Sequence, residues 1–238
     1  MILIKLGGSF LRSFGALGSF EKWLSTYCRH SPTPALVLLG GGAAVDALRF
    51  QFQNGELTQD QAHWRAIETM ASNARQLQRQ RQWPIAKISE LDRNRQWGKP
   101  GGATLIDIDN LGVVTDPRLP ATWETTSDAL ATWLALRWRA PTLIFAKQVN
   151  PLEPVMQIGK MRNLGWLDPV AAQLWEDRER RGQNRHLRDL NAASRPIGES
   201  AEPDSNGLRS GAWIRHFPAP VSPQLWEIQN RLWTQIVD

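Results

Sequence analysis

Short apolar runs that end at glycines alternate with amphipathic segments in the first part of the chain. Residues 2–4 and 35–39 have the pattern of buried strands, and glycines follow shortly after each run. Apolar residues at helical spacing come next, over 20–29 and over 43–52. A strand, a glycine turn and a helix, repeated twice, are typical of a parallel α/β sheet. The pattern therefore predicts that architecture.

The rest of the chain adds elements of both kinds. Thr58 and Gln61 fit a capping box, so a long helix is expected from there to about residue 80. Ser127 is expected to be the N-cap of the next long helix. The other predicted elements are a loop at 98–102, strands at 85–88, 104–108, 142–146 and 212–217, and helices at 128–137 and from Ser222 onward. Residues 178–211 are polar and rich in Arg, Ser and Gly, which predicts a long flexible loop.

Composition narrows the class of protein. The chain has 238 residues, of which 42% are hydrophobic, enough for a sizeable core. No apolar run approaches the ~20 residues that a membrane helix needs, and the N-terminal residues lack a signal-peptide pattern. Cys28 is the single cysteine, so no intrachain disulfide can form, and the four histidines show no metal-ligand spacing. These features favour a cytoplasmic protein without a membrane partner or a structural zinc site.

The charge distribution leaves the partner open. The net charge is +5, and basic residues crowd two stretches, 75–99 and 178–195. Acidic residues interleave the second stretch, which favours a solvated face over a binding site for nucleic acid. No recognition-helix or aromatic-strand signature accompanies either stretch. A nucleic-acid-binding protein is therefore the least favoured hypothesis.

Two glycine motifs are candidate phosphate sites. The first is Lys5-Leu6-Gly7-Gly8-Ser9, where glycines after a strand let backbone N–H groups approach a phosphate and the lysine adds a cation. The second is Gly40-Gly41-Gly42, which ends a strand and points a helix N-terminus at any bound anion. Neither contains a P-loop or a dinucleotide fingerprint. Each motif is equally compatible with an ordinary tight turn.

One further segment and one further lysine are candidate active-site residues. The segment Thr125-Thr126-Ser127-Asp128 is compatible with a capped helix, or with an acid that orients a phosphate-binding lysine while hydroxyls contact the substrate. Lys147 follows the strand predicted at 142–146, at the sheet edge where open α/β folds bind ligands, although a surface lysine would also fit there. Trp123 stands beside the first of these segments and is expected to wall the pocket.

Taken in chain order, these motifs resemble the amino-acid-kinase superfamily, which includes aspartokinase, acetylglutamate kinase and UMP kinase. The resemblance covers about residues 1–175. It implies an open three-layer αβα sandwich with a mainly parallel central sheet. It also implies a single domain over 1–238, with an acceptor-side lobe at 1–122 and a nucleotide-side lobe at 123–238. A homo-oligomer, dimeric or larger, is expected on the same ground.

Within that superfamily, residues 123–131 look most like the kinases of methanofuran synthesis, which convert an aminomethyl-furan methyl phosphate to its diphosphate. Segments 62–67 and 164–169 are similar to the same subgroup and to its bacterial relatives, which are tied to one-carbon metabolism. The resemblance implies an ATP-dependent kinase that acts on a small phosphate monoester. A UMP kinase and an amino-acid kinase are the alternatives within the superfamily.

The resemblance also implies a role for each motif. Lys5 would bridge the donor and acceptor phosphates, Asp128 would hold Lys5, and Lys147 would lie near the nucleotide. ATP would arrive with Mg²⁺, for which the sequence has no recognisable ligand motif. The remaining assignments are Gly7, Gly8 and Ser9 to the ATP phosphates, and Gly40, Gly41, Gly42, Thr126 and Ser127 to the acceptor.

The sequence departs from the superfamily pattern at one point on the nucleotide side. Many relatives carry Val-Asp-Gly after the strand there, whereas this chain has Val149-Asn150-Pro151. The change removes an acid and a flexible glycine. It motivates the hypothesis from another class, a non-catalytic protein of the same fold that binds a nucleotide or another anion.

Overall fold

The computed structural model describes residues 1–108, 116–147, 158–178 and 180, together with the backbone of 211–216. The described strands form one sheet in which every neighbouring pair is parallel, in the order β3-β4-β2-β1-β5-β6. The strands are β1 Ile2–Leu6, β2 Ala35–Leu39, β3 Ile85–Lys87, β4 Ala103–Asp107, β5 Thr142–Lys147 and β6 Gly211–His216.

Helices connect the strands and cover the sheet. A short 3₁₀ turn at Gly8–Arg12 follows β1 directly. The α-helices are α1 Phe14–His30, α2 Gly42–Gln53, α3 Gln59–Arg81, α4 Ile88–Asn94, α5 Ser127–Trp138, α6 Ile158–Asn163 and α7 at 169–178. None of the helices in the described part of the chain is long and apolar enough to span a bilayer.

The two faces of the sheet build two separate apolar clusters. Side chains alternate between the faces along a strand, so Leu3 of β1 lies in one cluster and Ile4 in the other. Helix α5 contributes to the cluster that contains Leu3, and α1 contributes to the cluster that contains Ile4. This arrangement confirms the predicted α/β fold, an αβα sandwich around a parallel sheet.

Helix α5 occupies the most buried position among the helices. Its buried apolar residues lie all round the helix rather than on one stripe, and they include Ala129, Leu130, Trp133, Leu134 and Trp138. A helix that is hydrophobic on every side belongs in a core. The first turn of α5 is therefore held firmly against the sheet, close to the carboxyl ends of β1 and β5.

The capping box at the start of α3 is present as predicted. Thr58 Oγ1 accepts a hydrogen bond from the Gln61 N–H at 3.2 Å, and Gln61 Oε1 accepts one from the Thr58 N–H at 3.0 Å. Each bond satisfies an N–H group that has no partner within the helix. The helix ends where Gln82 adopts the left-handed conformation, with φ of 56°.

Some boundaries differ from the sequence predictions. Helix α1 begins at Phe14 rather than near residue 20, because Ser13 Oγ accepts from the Ala16 N–H and caps an earlier turn. The strand predicted at 85–88 ends at Lys87, because Glu90 accepts the Lys87 N–H and starts the unpredicted helix α4. Both differences arise from capping contacts that apolar periodicity does not reveal.

The C-terminal predictions are tested only in part. The strand predicted at 212–217 is present as β6, shifted by one residue. The loop predicted at 178–211 begins too early, since 178 and 180 are helical. The rest of that loop up to 210, and the helix predicted from Ser222, lie outside the described residues.

We expect Thr58→Ala to lower the free energy of unfolding by about 1 kcal/mol, because the substitution removes the N-cap acceptor of α3. Urea denaturation measures the change. Thr69→Ala is the matched control within the same helix, where the hydroxyl only donates to the Arg65 carbonyl at 2.8 Å. Alanine has the higher helix propensity, so the control should be neutral or slightly stabilising. Equal losses in the two variants would contradict the capping argument.

Candidate active site

Two lysines share one buried carboxylate at the carboxyl ends of β1 and β5. Asp128 Oδ1 lies 2.7 Å from Lys5 Nζ, and Asp128 Oδ2 lies 2.5 Å from Lys147 Nζ. Lys5 is opposite Phe145 in the parallel register, so Lys147 stands two residues further along β5. A spacing of two places both lysines on the same face of the sheet. Helix α5 packs on that face and presents Asp128 from its first turn.

The charges of this triad compensate one another incompletely. Burial on its own would raise the pKa of Asp128, but the ammonium groups of Lys5 and Lys147 bring it below its usual value. Burial lowers the pKa of Lys147, and Asp128 opposes that effect. With both lysines protonated, the triad carries one excess positive charge. An excess positive charge of this kind attracts an anionic ligand.

Asp168 fixes the position of the first turn of α5. Its carboxylate accepts hydrogen bonds from Thr126 Oγ1 at 2.5 Å, from the Ala129 N–H at 3.0 Å and from the Ala171 N–H at 2.5 Å. One side chain thus caps the N-termini of α5 and α7. Burial raises the pKa of Asp168, although these hydrogen bonds work in the opposite direction. Sequence analysis missed this residue, but an Asp-Pro pair before a helix is a recognisable start signal.

The prediction that Ser127 caps α5 is wrong by one residue. Thr126 is the N-cap, and its Oγ1 accepts from the Asp128 N–H at 3.1 Å. The Thr126 hydroxyl is held in this role because it donates to Asp168. Ser127 is the first helical residue instead, and its Oγ lies beside Gly40, where an added Cβ would be 3.3 Å away.

The two glycine corners are in direct backbone contact. A Cβ on Gly8 would lie 2.2 Å from the Gly42 nitrogen, and a Cβ on Gly40 would lie 2.8 Å from the Gly8 nitrogen. Gly42 also has φ of +63°, a conformation that side chains disfavour. Asn73 of α3 holds the second corner, since its Nδ2 donates to the carbonyls of Gly40 and Gly41 at 3.0 Å each. Sequence analysis missed Asn73.

Hydrogen bonding divides the glycine N–H groups into two sets. The Gly7 N–H donates to the Ala146 carbonyl at 3.0 Å, and the Gly40 N–H donates to the Leu6 carbonyl at 2.9 Å. Both bonds extend the sheet beyond its strands, so these two N–H groups are engaged. Gly8 begins the 3₁₀ turn and Gly42 begins α2, and the first N–H groups of a helix have no partner within it. Those N–H groups are the ones that can meet an anion.

A cavity of about 250 Å³ opens beside the glycine contact. Trp123 lines it as expected, stacked on Phe52 with 5.9 Å between ring centroids and with the Arg49 guanidinium 5.5 Å from its ring. Asp46 pairs with both Arg12 and Arg49. The cavity lining therefore combines an aromatic surface with charges of both signs. The other lining residues are Gly8, Ser9, Gly41, Gly42, Val45, His63, Ala66, Met70, Thr122, Thr125, Thr126 and Ser127.

His63 is a buried polar residue in this lining. Its Nδ1 lies 3.1 Å from the Thr122 carbonyl oxygen, and the residue is only 3% exposed. Burial lowers the pKa of the imidazole, although the Thr122 carbonyl and Asp60 oppose the shift. Burial thus favours the neutral form of the ring. Sequence analysis assigned no role to His63, because a single histidine within an amphipathic helix is indistinguishable from a core residue.

The structure brings most of the predicted site residues together. Lys5, Asp128 and Lys147 form the triad, Gly8 and Gly40 to Gly42 form the glycine contact, and Ser9, Thr126 and Ser127 line the cavity. Gly7 continues the sheet beside them. Residues 149–151 lie outside the described part of the chain. Within the described ranges no three His, Cys, Asp or Glu residues are grouped as metal ligands.

Comparisons with known proteins identify the fold. The sequence matches no protein-family model and no curated protein. The structure is similar to the uridylate kinase from Archaeoglobus fulgidus, with a TM-score of 0.50 and 17% sequence identity over 74% of this chain and 86% of that chain. UMP kinases from Bacillus anthracis and Ureaplasma parvum match at TM-scores of 0.48 and 0.45, with 14% and 13% identity. Each of those two matches spans 74% of this chain, and they span 82% and 85% of the respective kinases.

We expect Gly8→Ala to destabilise the protein by about 1–3 kcal/mol, because its Cβ would overlap the Gly42 nitrogen and backbone would have to shift. Thermal or urea unfolding measures the change. Gly18→Ala is the control, since Gly18 lies within α1 and no atom stands within 4 Å of the added Cβ. That variant should gain about 0.5–1 kcal/mol. A Gly8→Ala protein as stable as the wild type would contradict the described contact.

We expect Asp128→Asn to destabilise the protein by about 3–5 kcal/mol, because two buried ammonium groups lose their shared counter-charge. The folded-state pKa of Asp128 lies below its usual value, so its contribution is complete above about pH 4 and is lost as pH falls through the folded pKa. The difference in stability between wild type and variant should therefore be constant from pH 7 to about pH 5 and begin to shrink only below about pH 4.

The control for that prediction is Asp46→Asn, which breaks an ion pair that is about half exposed. Exposed pairs contribute less than about 1 kcal/mol, so the loss should be small. A loss for Asp128→Asn no greater than that of the control would show that the triad is not a buried charge network.

Proposed function

We propose that the protein is an ATP-dependent kinase that transfers a phosphoryl group to a small phosphate monoester. The observation that carries this proposal is the triad of Lys5, Asp128 and Lys147 beside the Gly8–Gly42 contact. It places an excess positive charge near two helix starts, whose first backbone N–H groups have no partner within their own helices. Phosphoryl transfer depends on that combination, since catalysis there consists mostly of positioning and charge stabilisation.

The residues present fit a phosphate group. A side chain at Gly8 would overlap the Gly42 nitrogen, so glycine at this position lets the two turns meet closely, as backbone anion sites require. Gly42 begins α2, a helix of 12 residues whose N-terminal dipole favours negative charge. Lys5 supplies an ammonium group, and Asp128 fixes the position of that group. We assign Gly8, Ser9 and Lys5 to the transferred phosphate, and Gly41, Gly42 and Ser127 to the acceptor.

The donor substrate is Mg-ATP in this proposal. The metal ion enters with the ATP phosphates, and it neutralises part of their charge during transfer. Lys147 is assigned to the nucleotide side, because it stands at the end of β5, next to residues 149–151. Its bond to Asp128 couples the nucleotide side to Lys5 through one carboxylate.

The reaction needs no general base from the protein. An oxygen of the ionised acceptor phosphate forms a bond to the γ-phosphorus of ATP, and the bond from that phosphorus to the bridging oxygen breaks. ADP leaves with the electron pair, and the acceptor becomes a diphosphate. Lys5 stabilises the charge that develops on the transferred group. Asp128 holds the Lys5 ammonium group in place.

The acceptor that we favour is an aminomethyl-furan methyl phosphate, which would place the protein in methanofuran or other one-carbon cofactor synthesis. The resemblance of residues 123–131 to kinases of that pathway supports this choice. The cavity of about 250 Å³ also lies just below the ~300–1,000 Å³ that is usual for ligand pockets, which favours a small ring. UMP is the alternative acceptor, since the fold is that of UMP kinases.

We expect purified protein with Mg-ATP to release ADP when the aminomethyl-furan methyl phosphate is added, and Lys5→Met to lower kcat at least ~100-fold. Lys147 and Asp128 still form a neutral pair in that variant, so its melting temperature should remain close to that of the wild type. Lys22→Met, on the exposed side of α1, is the control and should retain full activity. Undiminished turnover by the Lys5 variant would refute the mechanism.

An acceptor panel separates the remaining candidates. Faster turnover of UMP than of the furan phosphate would identify a UMP kinase, and turnover of an unphosphorylated amino acid would identify an amino-acid kinase. Calorimetry with ATP tests the hypothesis of a non-catalytic protein that Val149-Asn150-Pro151 motivates. ATP binding without ADP release across the panel would support that hypothesis and contradict ours.

A further inference from the structure

Helix α2 presents an apolar face to solvent. None of its 12 residues is buried, and its exposed residues include Ala43, Ala47 and Phe50, of which Phe50 is 64% exposed. These three positions are spaced by four and by three residues, so they form one line along the helix. Helix α3 differs, because every exposed residue on it is polar. An exposed apolar line of this kind is typical of a surface that packs against another protein.

The start of α1 adds a second exposed ring near this helix. Phe14 is 88% exposed, and it closely follows the 3₁₀ turn that packs against α2. The same turn is tied to α2 by the ion pair of Arg12 with Asp46. In the described part of the chain, Leu164 is the other large apolar residue that is exposed. Exposed apolar surface is thus concentrated in what we call the α2 face, which consists of Phe14, Ala43, Ala47 and Phe50.

We propose that a second copy of this chain packs on the α2 face, with the two α2 helices antiparallel and a two-fold axis beside Ala47. A two-fold contact joins the same surface of both copies, so that surface must be complementary to itself. With the axis at this position, Phe50 of one copy lies over Ala43 of the second copy. The small alanine leaves room for the large ring, and the contact forms twice.

The charged residues beside the apolar line are also complementary to themselves. Asp46 and Arg49 lie on the same side of the line, and each side chain is about half exposed. In the antiparallel arrangement Asp46 of each copy comes within reach of Arg49 of the other, so two ion pairs form across the axis. The pairs that Asp46 makes within its own chain are exposed and therefore weak. They do not prevent its carboxylate from accepting a further bond.

The same carboxylate argues against other occupants of the α2 face. Nucleic acids and the membrane surfaces that attract basic proteins are both anionic. Asp46 would repel either of them at the edge of the apolar line. A second copy instead brings Arg49 to this position.

The proposed contact lies beside the cavity, because Val45, Asp46 and Arg49 of α2 line it. A second copy would therefore stand at the rim of the cavity. The inference does not rest on the proposed kinase function, since it follows from the exposed face of α2. It is tested without any substrate, so the two proposals can fail separately.

The first experiment measures the oligomeric state of the full chain by sedimentation at micromolar concentration. We expect a dimer, and we expect Phe50→Lys to weaken it at least ~30-fold, because a central apolar contact is lost twice. Phe50 is mostly exposed, so the variant should keep the melting temperature of the wild-type monomer. Gln76→Lys is the control, since Gln76 is exposed on the polar face of α3, and its dissociation constant should be unchanged. A monomeric wild type, or a dimer that Phe50→Lys leaves intact, would overturn the proposal.

The second experiment tests the position of the axis by disulfide cross-linking of the full chain. Cys28, the native cysteine, is first replaced by serine. Ala47→Cys should then give a covalent dimer under mild oxidation, because the two Cα atoms beside the axis lie within the ~4.4–6.8 Å that a disulfide spans.

Ala43→Cys is the matched control on the same helix. In the antiparallel arrangement, residue 43 stands about 10 Å along the helix from residue 43 of the second copy, too far for a disulfide. We therefore expect no covalent dimer from this variant. Cross-linking through Ala43 as readily as through Ala47 would indicate a parallel contact, and no cross-linking through Ala47 would indicate another surface. Either result would overturn the proposal.

Discussion

The buried contact between Asp128 and the two lysines constrains the rest of the site. A carboxylate without a counter-charge is unstable in a core, and so is an isolated ammonium group. Each lysine therefore requires Asp128, and Asp128 requires at least one lysine. The three residues come from different elements of the fold: β1, α5 and β5. The parallel register brings the lysines to one face, and the apolar packing of α5 presses the carboxylate between them. The positions of the three charged groups therefore depend on both the strand register and the packing of α5.

The glycine contact complements the triad by keeping side chains away. β1 and β2 are neighbours in the sheet, so the turns that follow them meet at its carboxyl edge. Gly8 and Gly42 approach so closely that neither position tolerates a Cβ without movement. The starts of two helical segments consequently lie close together at this edge of the sheet. Positive charge comes from side chains on one side of the site, and hydrogen-bond donors come from bare backbone on the other.

Features of the fold that depend on local pattern could be predicted from the sequence. The strand at 35–39, the capping box of Thr58 and the glycine turns each follow from a few consecutive residues. Contacts between distant segments could not, because one sequence does not reveal register or helix orientation. Thr126 and Asp168 meet across 42 positions, and Asn73 and Gly40 across 33. The motif order suggested that Lys5 and Asp128 belong to one site, whereas the contact between His63 and Thr122 joins residues 59 positions apart and could not be predicted.

Asp168 ties two helices to one point and thereby links parts of the chain that are far apart in sequence. Its carboxylate binds the starting turns of α5 and α7 together. The starting turn of α5 also carries the acid that holds the two lysines. A small rotation of α7 would accordingly pull on that turn and alter the separation of the two ammonium groups. The position of Asp128 between the two lysines therefore depends on a carboxylate that lies 40 residues further along the chain.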